Sequence, residues 1–274
     1  MSFRPLVIAV LLFIPGMVWG QSASPQKECL LSSLGTCAVH VVQDEIGIVS
    51  SPLRTSGKDL LWLVPFAAAT GVSLHYDVDA IQELGVHPDR EDKFEKVSNI
   101  GGIYGPVAAA GVGYVVGAVK HDDYLRDTAV LSAEAMVDAT LLDQGLKYAI
   151  DRQDPKQGDG TGKFWPHGTK TWPDGQSMPS EHAINVWAFA HVVAGRYNGI
   201  GTKLLVYSLA TTVSASRVLA REHFPSDVVV GSTFGYLIGG YVLHHRSDVA
   251  PLFSFNAVST PNGKGIQVSY NFSH

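Results

Sequence analysis

His223 and Asp227 stand four residues apart, with Pro225 between them. Proline there suits the first turn of a helix. Four-residue spacing lets a carboxylate reach one imidazole nitrogen and leaves the other free to attack an electrophile. Ser216-Arg217 precede this pair by one short loop. Further upstream lie Pro179-Ser180-Glu181-His182 and the segment Lys147, Asp151-Arg152, Asp154-Pro155. Together these residues offer fixed cations, a hydroxyl, backbone donors, a nucleophile and an acid, which is the set that phosphoryl transfer needs. Each alone has a plainer reading. A single histidine is usually structural, a single arginine an ion-pair partner, and a serine before a helix an N-cap. Three such segments in order, each beside a helix end, point to chemistry.

The elements that must position them read as helices. An apolar run from Leu60 to Leu74 follows Asp59, and a Gly- and Ala-rich run covers 100–119. Further helical stretches are expected at 124–151, 181–197, 201–220 and 226–245. The charged stretch 84–98 reads as a solvated connection. Beyond the helices, Phe253, Phe255 and Ala257, then Ile266, Val268, Tyr270 and Phe272, alternate with polar residues around Pro261-Asn262-Gly263. That pattern predicts a terminal β-hairpin. The expected fold is therefore all-α, a bundle of about six core helices with a short C-terminal hairpin. The domain limits are 21–58 for a polar extension, 59–246 for the helical domain and 247–274 for the tail.

The order and spacing of the three segments resemble the tripartite signature of the phosphatidic acid phosphatase and vanadium haloperoxidase-like superfamily. That signature runs Lys-x6-Arg-Pro, then Pro-Ser-Gly-His, then Ser-Arg-x5-His-x3-Asp. The resemblance implies a helical bundle and a metal-independent phosphatase without a cofactor, acting through a phosphohistidine. By position, His223 attacks phosphorus, Asp227 orients it and His182 protonates the leaving group. Lys147, Arg217, Ser180 and the backbone at Glu181 hold the phosphate oxygens. Two positions depart from the pattern. Asp154 stands where the signature has arginine, and Glu181 where it has glycine. An anion in a phosphate clamp opposes the ligand; loss of one such donor alone costs about 3–4 kcal/mol. Arg152, two residues earlier, is the guanidinium that could take the vacant place. The alternative is a weak or inactive relative that only binds a phosphorylated ligand or partner.

Composition agrees with an exported protein. Of 274 residues 46% are hydrophobic and 16% charged, with net charge −5; the acidic balance and the lack of basic runs exclude nucleic acid as the partner. Arg4, the apolar run Leu6–Val18 and the small residues before Gln21 read as a signal peptide over 1–20, with an uncleaved anchor as the alternative. The expected destination is the periplasm or cell envelope, with peripheral membrane contact. Mean hydropathy is only +0.11. The 124–151 helix carries Glu134, Asp138 and Asp143, which would cost about 2.5–3.5 kcal/mol each at mid-bilayer. A soluble or peripheral bundle is therefore expected. Cys29 and Cys37 either pair in an oxidising compartment or remain free thiols. Gly158–Lys163 resembles a phosphate-cradling loop, but its spacing is wrong and no strand precedes it.

Overall fold

The computed structural model describes residues 34–57, 59–168, 172–173, 175–248, 253–260 and 263–270. The expected signal segment 1–20 and Cys29 lie outside them, whereas Cys37 is disulfide-bonded. The described helices are α1 (Leu34–Ser50), α2 (Leu60–Leu84), α3 (Pro88–Asn99), α4 (Gly105–Lys120), α5 (Asp123–Ile150), α6 (Glu181–Arg196), α7 (Ile200–Leu219) and α8 (Pro225–Asp248). A 3₁₀ turn (Ser51–Arg54) follows α1, and a π-turn (Ile100–Tyr104) joins α3 to α4. The strands β1 (Phe253–Thr260) and β2 (Gly263–Tyr270) pair antiparallel, with Phe253 opposite Tyr270. The helical domain is all-α.

Two expectations are corrected. The stretch 84–98 is not a solvated connection but mostly helix α3. Its start and stop signals are local: Pro88 in the first turn with Asp89 and Glu91, and Lys96 in the last. These charges complement the helix dipole, and only its outer face is solvated, since Ser98 is fully buried. The polar extension likewise contains a helix, α1, that packs on α5 and α8.

The core lies where α5, α6 and α8 meet. Ala135 and Ala139 of α5 pack with Ile184, Ala188 and Val192 of α6 and with Ile238 and Val242 of α8. A second cluster joins Val186 and Ala190 of α6 to Ala210 and Val213 of α7. The α6–α8 contact is a backbone contact, and glycine makes it possible. A β-carbon on Gly235 would stand 2.1 Å from the Ile184 carbonyl oxygen, and one on Gly239 2.7 Å from that of Ala188. Gly231, one turn earlier, meets the Ser180 backbone in the same way. This stripe seats the start of α8, which carries Asp227, directly against the start of α6, which carries Ser180. The Ser180 N–H donates to the Asp227 carbonyl at 3.1 Å. Two of the three sequence segments are thereby fixed by packing.

Among the described residues, two helices, Pro88–Lys120 with its π-turn and Pro225–His245, are long and apolar enough to cross a membrane by length and composition.

Candidate active site

The third segment folds as its spacing predicts. α7 ends at Leu219, a tight turn follows with Arg221 at φ 55°, and α8 starts at Pro225. His223 lies in this turn, buried at its base. Its Nδ1 donates to the Ser177 carbonyl at 2.7 Å, while the nearer carboxylate oxygen of Asp227 is 3.7 Å away. A carbonyl oxygen can only accept, so Nδ1 carries the proton and Nε2 keeps its lone pair. Burial holds the pKa of His223 below its ordinary value. Asp227 opposes that effect, and the charges of Arg217 and Lys147 add to it.

Asp227 is fully buried and used from three sides. Its Oδ2 accepts from the Ser177 hydroxyl (2.6 Å) and the Phe224 N–H (2.8 Å), and its Oδ1 takes Arg152 Nη1. It therefore builds the turn that holds His223 and braces Ser177, while the direct partner of Nδ1 is the Ser177 carbonyl.

Arg152 is enclosed by carboxylates. It is 2% exposed, with Nη2 2.7 Å from Asp77 and Nη1 on Asp227 and on Ser226 Oγ. Its guanidinium lies between the rings of Phe164 and Phe224, at 5.0 and 4.3 Å from their centroids. The chain leaves α5 through Asp151 in a left-handed conformation (φ 44°), which turns Arg152 inward behind α8. Its backbone then pairs with Phe164, and its carbonyl accepts the Ser177 N–H at 2.9 Å. The long loop after α5 is shaped around this one residue. The aromatics of that loop pack it down: Trp165 stacks on Trp172, whose indole N–H donates to the Tyr148 carbonyl.

Lys147, on the last turn of α5, pairs with buried Asp143 at 3.0 Å and lies 3.4 Å from Glu181. Burial raises Asp143 to about 6 despite that lysine. Ser180 precedes α6, yet its hydroxyl does not cap the helix; it is buried without a hydrogen-bond partner among the described residues. His182 sets Nε2 2.9 Å from Asn99 Oδ1 and leaves Nδ1 buried and unbonded. Burial, followed by the charges of Arg217, His223 and Lys147, lowers its pKa to about 3. Arg217 donates from Nη1 to Ser98 at 3.1 Å and has Nη2 3.7 Å from Glu222, with Nε unbonded. Burial lowers its pKa, against the support of Glu222, Glu95 and Glu181. Asp154 is half-buried in a turn of its own, accepting the Lys156 N–H at 2.7 Å.

Seven of the eight expected site residues thus converge, and Arg152 lies behind them. Sequence reasoning missed Asp77, Ser98, Asn99, Asp143, Ser177 and Glu222. The helix signals around α3 were the one clue that Ser98 and Asn99 sit on a positioned element.

The family model of the PAP2 superfamily matches residues 128–249. The matched segment contains all three motifs. No curated protein matches the chain. Among solved structures, LpxE from Aquifex aeolicus is similar at 16% identity and a TM-score of 0.41, covering 61% of this chain and 94% of its own. The first transmembrane PAP2 type phosphatidylglycerolphosphate phosphatase from Bacillus subtilis is similar at 16% identity and a TM-score of 0.44, covering 77% and 94%.

Proposed function

We propose that this protein is an exported phosphatase that hydrolyses a phosphate monoester through a phosphohistidine, at or near a membrane surface. The observation that carries the reading is the set of unengaged polar groups around a neutral histidine. His223 has its proton on Nδ1 and a free Nε2, while Ser180 Oγ, Arg217 Nε and His182 Nδ1 are buried without partners. Buried polar atoms are costly when unsatisfied, and an equatorial phosphate oxygen is the acceptor that a hydroxyl and a guanidinium fit.

In the proposed step, His223 Nε2 forms a bond to phosphorus as the ester P–O bond breaks. The leaving oxygen takes a proton from His182. His182 is neutral in the free site, so the negative charge of the bound phosphate must first raise its pKa. Water then attacks phosphorus as the Nε2–P bond to His223 breaks, gives a proton to His182, which donated one to the leaving group, and phosphate is released. Lys147, Arg217 and Ser180 hold the oxygens as charge is redistributed.

A lipid phosphate is favoured over a soluble ester by the surface. Leu61 on α2, Val119 on α4 and Ile200 on α7 are 82%, 75% and 73% exposed, within apolar faces of those helices. Faces of this kind mark contact with another apolar phase.

The test is turnover of an aryl phosphate and of phosphatidic acid in vesicles by the purified protein, with acid quenching to trap labelled phosphate. His223→Ala is expected to abolish both turnover and labelling while retaining the helical circular dichroism. Turnover unchanged in that variant would end the proposal.

A further inference from the structure

The first motif has lost its arginine, but the loop that follows brings back a cation. Asp154 accepts the N–H of Lys156 on its side chain and that of Gln157 on its carbonyl (3.1 Å). The carboxylate in the arginine slot is thus the acceptor of a tight turn around buried Pro155. That turn sends the Lys156 side chain to Glu222, the residue before His223. Its Nζ is hydrogen-bonded to Glu222 Oε1 and lies 3.8 Å from Glu91. The other oxygen of Glu222 is 3.7 Å from Arg217. One carboxylate, adjacent in sequence to His223, therefore bridges Lys156 and a cation of the third motif. Burial raises the pKa of Asp154, its turn hydrogen bond opposes this, and Glu222 and His223 both act on it through their charges. The slot, the bridge and the nucleophile are within electrostatic reach of one another.

We infer that Lys156 is a phosphate-binding residue that supplies the charge lost at Asp154, and that Glu222 is the anion a phosphate displaces from it. This deepens the phosphatase reading above and rests on it. Beside Lys147 and Arg217, already assigned to the phosphate oxygens, the other cations nearby are held by carboxylates: Arg152 is buried between two of them, and Arg221 reaches Glu91 at 3.5 Å. Lys156 and Glu222 differ in being partly exposed, with side chains 38% and 27% accessible. Ion pairs at such exposure are weak and exchange readily. A phosphate dianion carries more charge than one carboxylate and can replace Glu222 between Lys156 and Arg217. An ammonium on a flexible stem can follow it.

The experiment compares wild type, K156A, K156R and the double variant D154R/K156A, by kcat and KM on an aryl phosphate and by the inhibition constant of inorganic phosphate. K156A is expected to lower kcat/KM and weaken phosphate inhibition by about tenfold or more each, less than a fully desolvated donor is worth because Lys156 is partly exposed. K156R should keep most of both. D154R/K156A should recover what K156A lost, because it restores the guanidinium in the slot. A merely structural lysine would move the melting temperature and leave the phosphate constant alone. K156A within twofold of wild type in both constants overturns the inference while leaving the phosphatase intact. If wild type turns over no phosphate ester, the phosphatase reading fails. Calorimetric binding of inorganic phosphate then decides Lys156 alone, and equal affinity for wild type and K156A overturns it.

Discussion

The imidazole of His223 donates its Nδ1 proton to the main-chain carbonyl of Ser177 at 2.7 Å, and Asp227 reaches the same nitrogen only at 3.7 Å. A side-chain substitution cannot remove a carbonyl, so the tautomer of His223 is set by the path of the loop. Asp227 keeps that path by accepting the Ser177 hydroxyl.

The protonation of His223 is accessible directly. Burial depresses its pKa, so the imidazole stays neutral as pH falls through the ordinary histidine value near 6.5. Ring nitrogen shifts of labelled His223 should show the Nδ1–H tautomer at pH 7, with protonation only below about 6.5. An Nε2–H tautomer, or a midpoint above that value, would mean that Ser177 does not hold the ring.

Arg152 should behave as a structural ion and not as a ligand for phosphate. It is enclosed by Asp77 and Asp227 at almost no exposure. Removing one partner of a buried pair leaves uncompensated charge, at about 3–5 kcal/mol. Arg152→Ala should lower the urea unfolding free energy by at least about 3 kcal/mol. Arg152→Lys should recover little, because one ammonium cannot span both carboxylates and Ser226 as the planar fork does. Unchanged stability with a raised KM would instead make Arg152 a phosphate ligand.

How much of this could be read in the sequence follows from where each partner lies along the chain. The Ser216–Asp227 segment is local, so one loop and one helix start fix its path, but its spacing pointed to Asp227 where the Ser177 carbonyl is the nearer partner of Nδ1. The bundle core was legible through apolar runs. One misreading arose because charge density hid periodicity. The 84–98 stretch looks solvated because its outward face is, yet its inward Ser98 and Asn99 touch Arg217 and His182. The ion pairs of Arg152 were hidden for another reason. Its partner Asp77 is 75 residues away on α2, and nothing local marks that pairing. Ser177 could not have been found at all, since it contributes a backbone carbonyl whose position depends on the loop closing around Arg152.

The last prediction concerns a carboxyl outside the catalytic segments. Asp138 of α5 is fully buried, and neither of its oxygens has a hydrogen-bond partner among the described residues. Burial first, then the charges of Asp44 and Glu45 on α1, raise its pKa to about 8. In the unfolded chain an aspartate titrates near 3.9. Between those values the native state keeps a proton that the unfolded state has lost. The stability contributed is therefore fully present below about pH 4 and is lost as pH rises through 8. Its slope approaches 1.4 kcal/mol per pH unit for one proton, as an order of magnitude. Asp138→Asn fixes the neutral form and should remove that component, leaving those of Glu45 and Asp143, which have the same sign, and of the buried histidines, which have the opposite sign. Urea unfolding at pH 5, 6.5 and 8 measures the difference. Equal slopes in wild type and variant would mean that Asp138 is ionised in the folded protein, and that α1 does not sit against α5 as a protonated carboxyl requires.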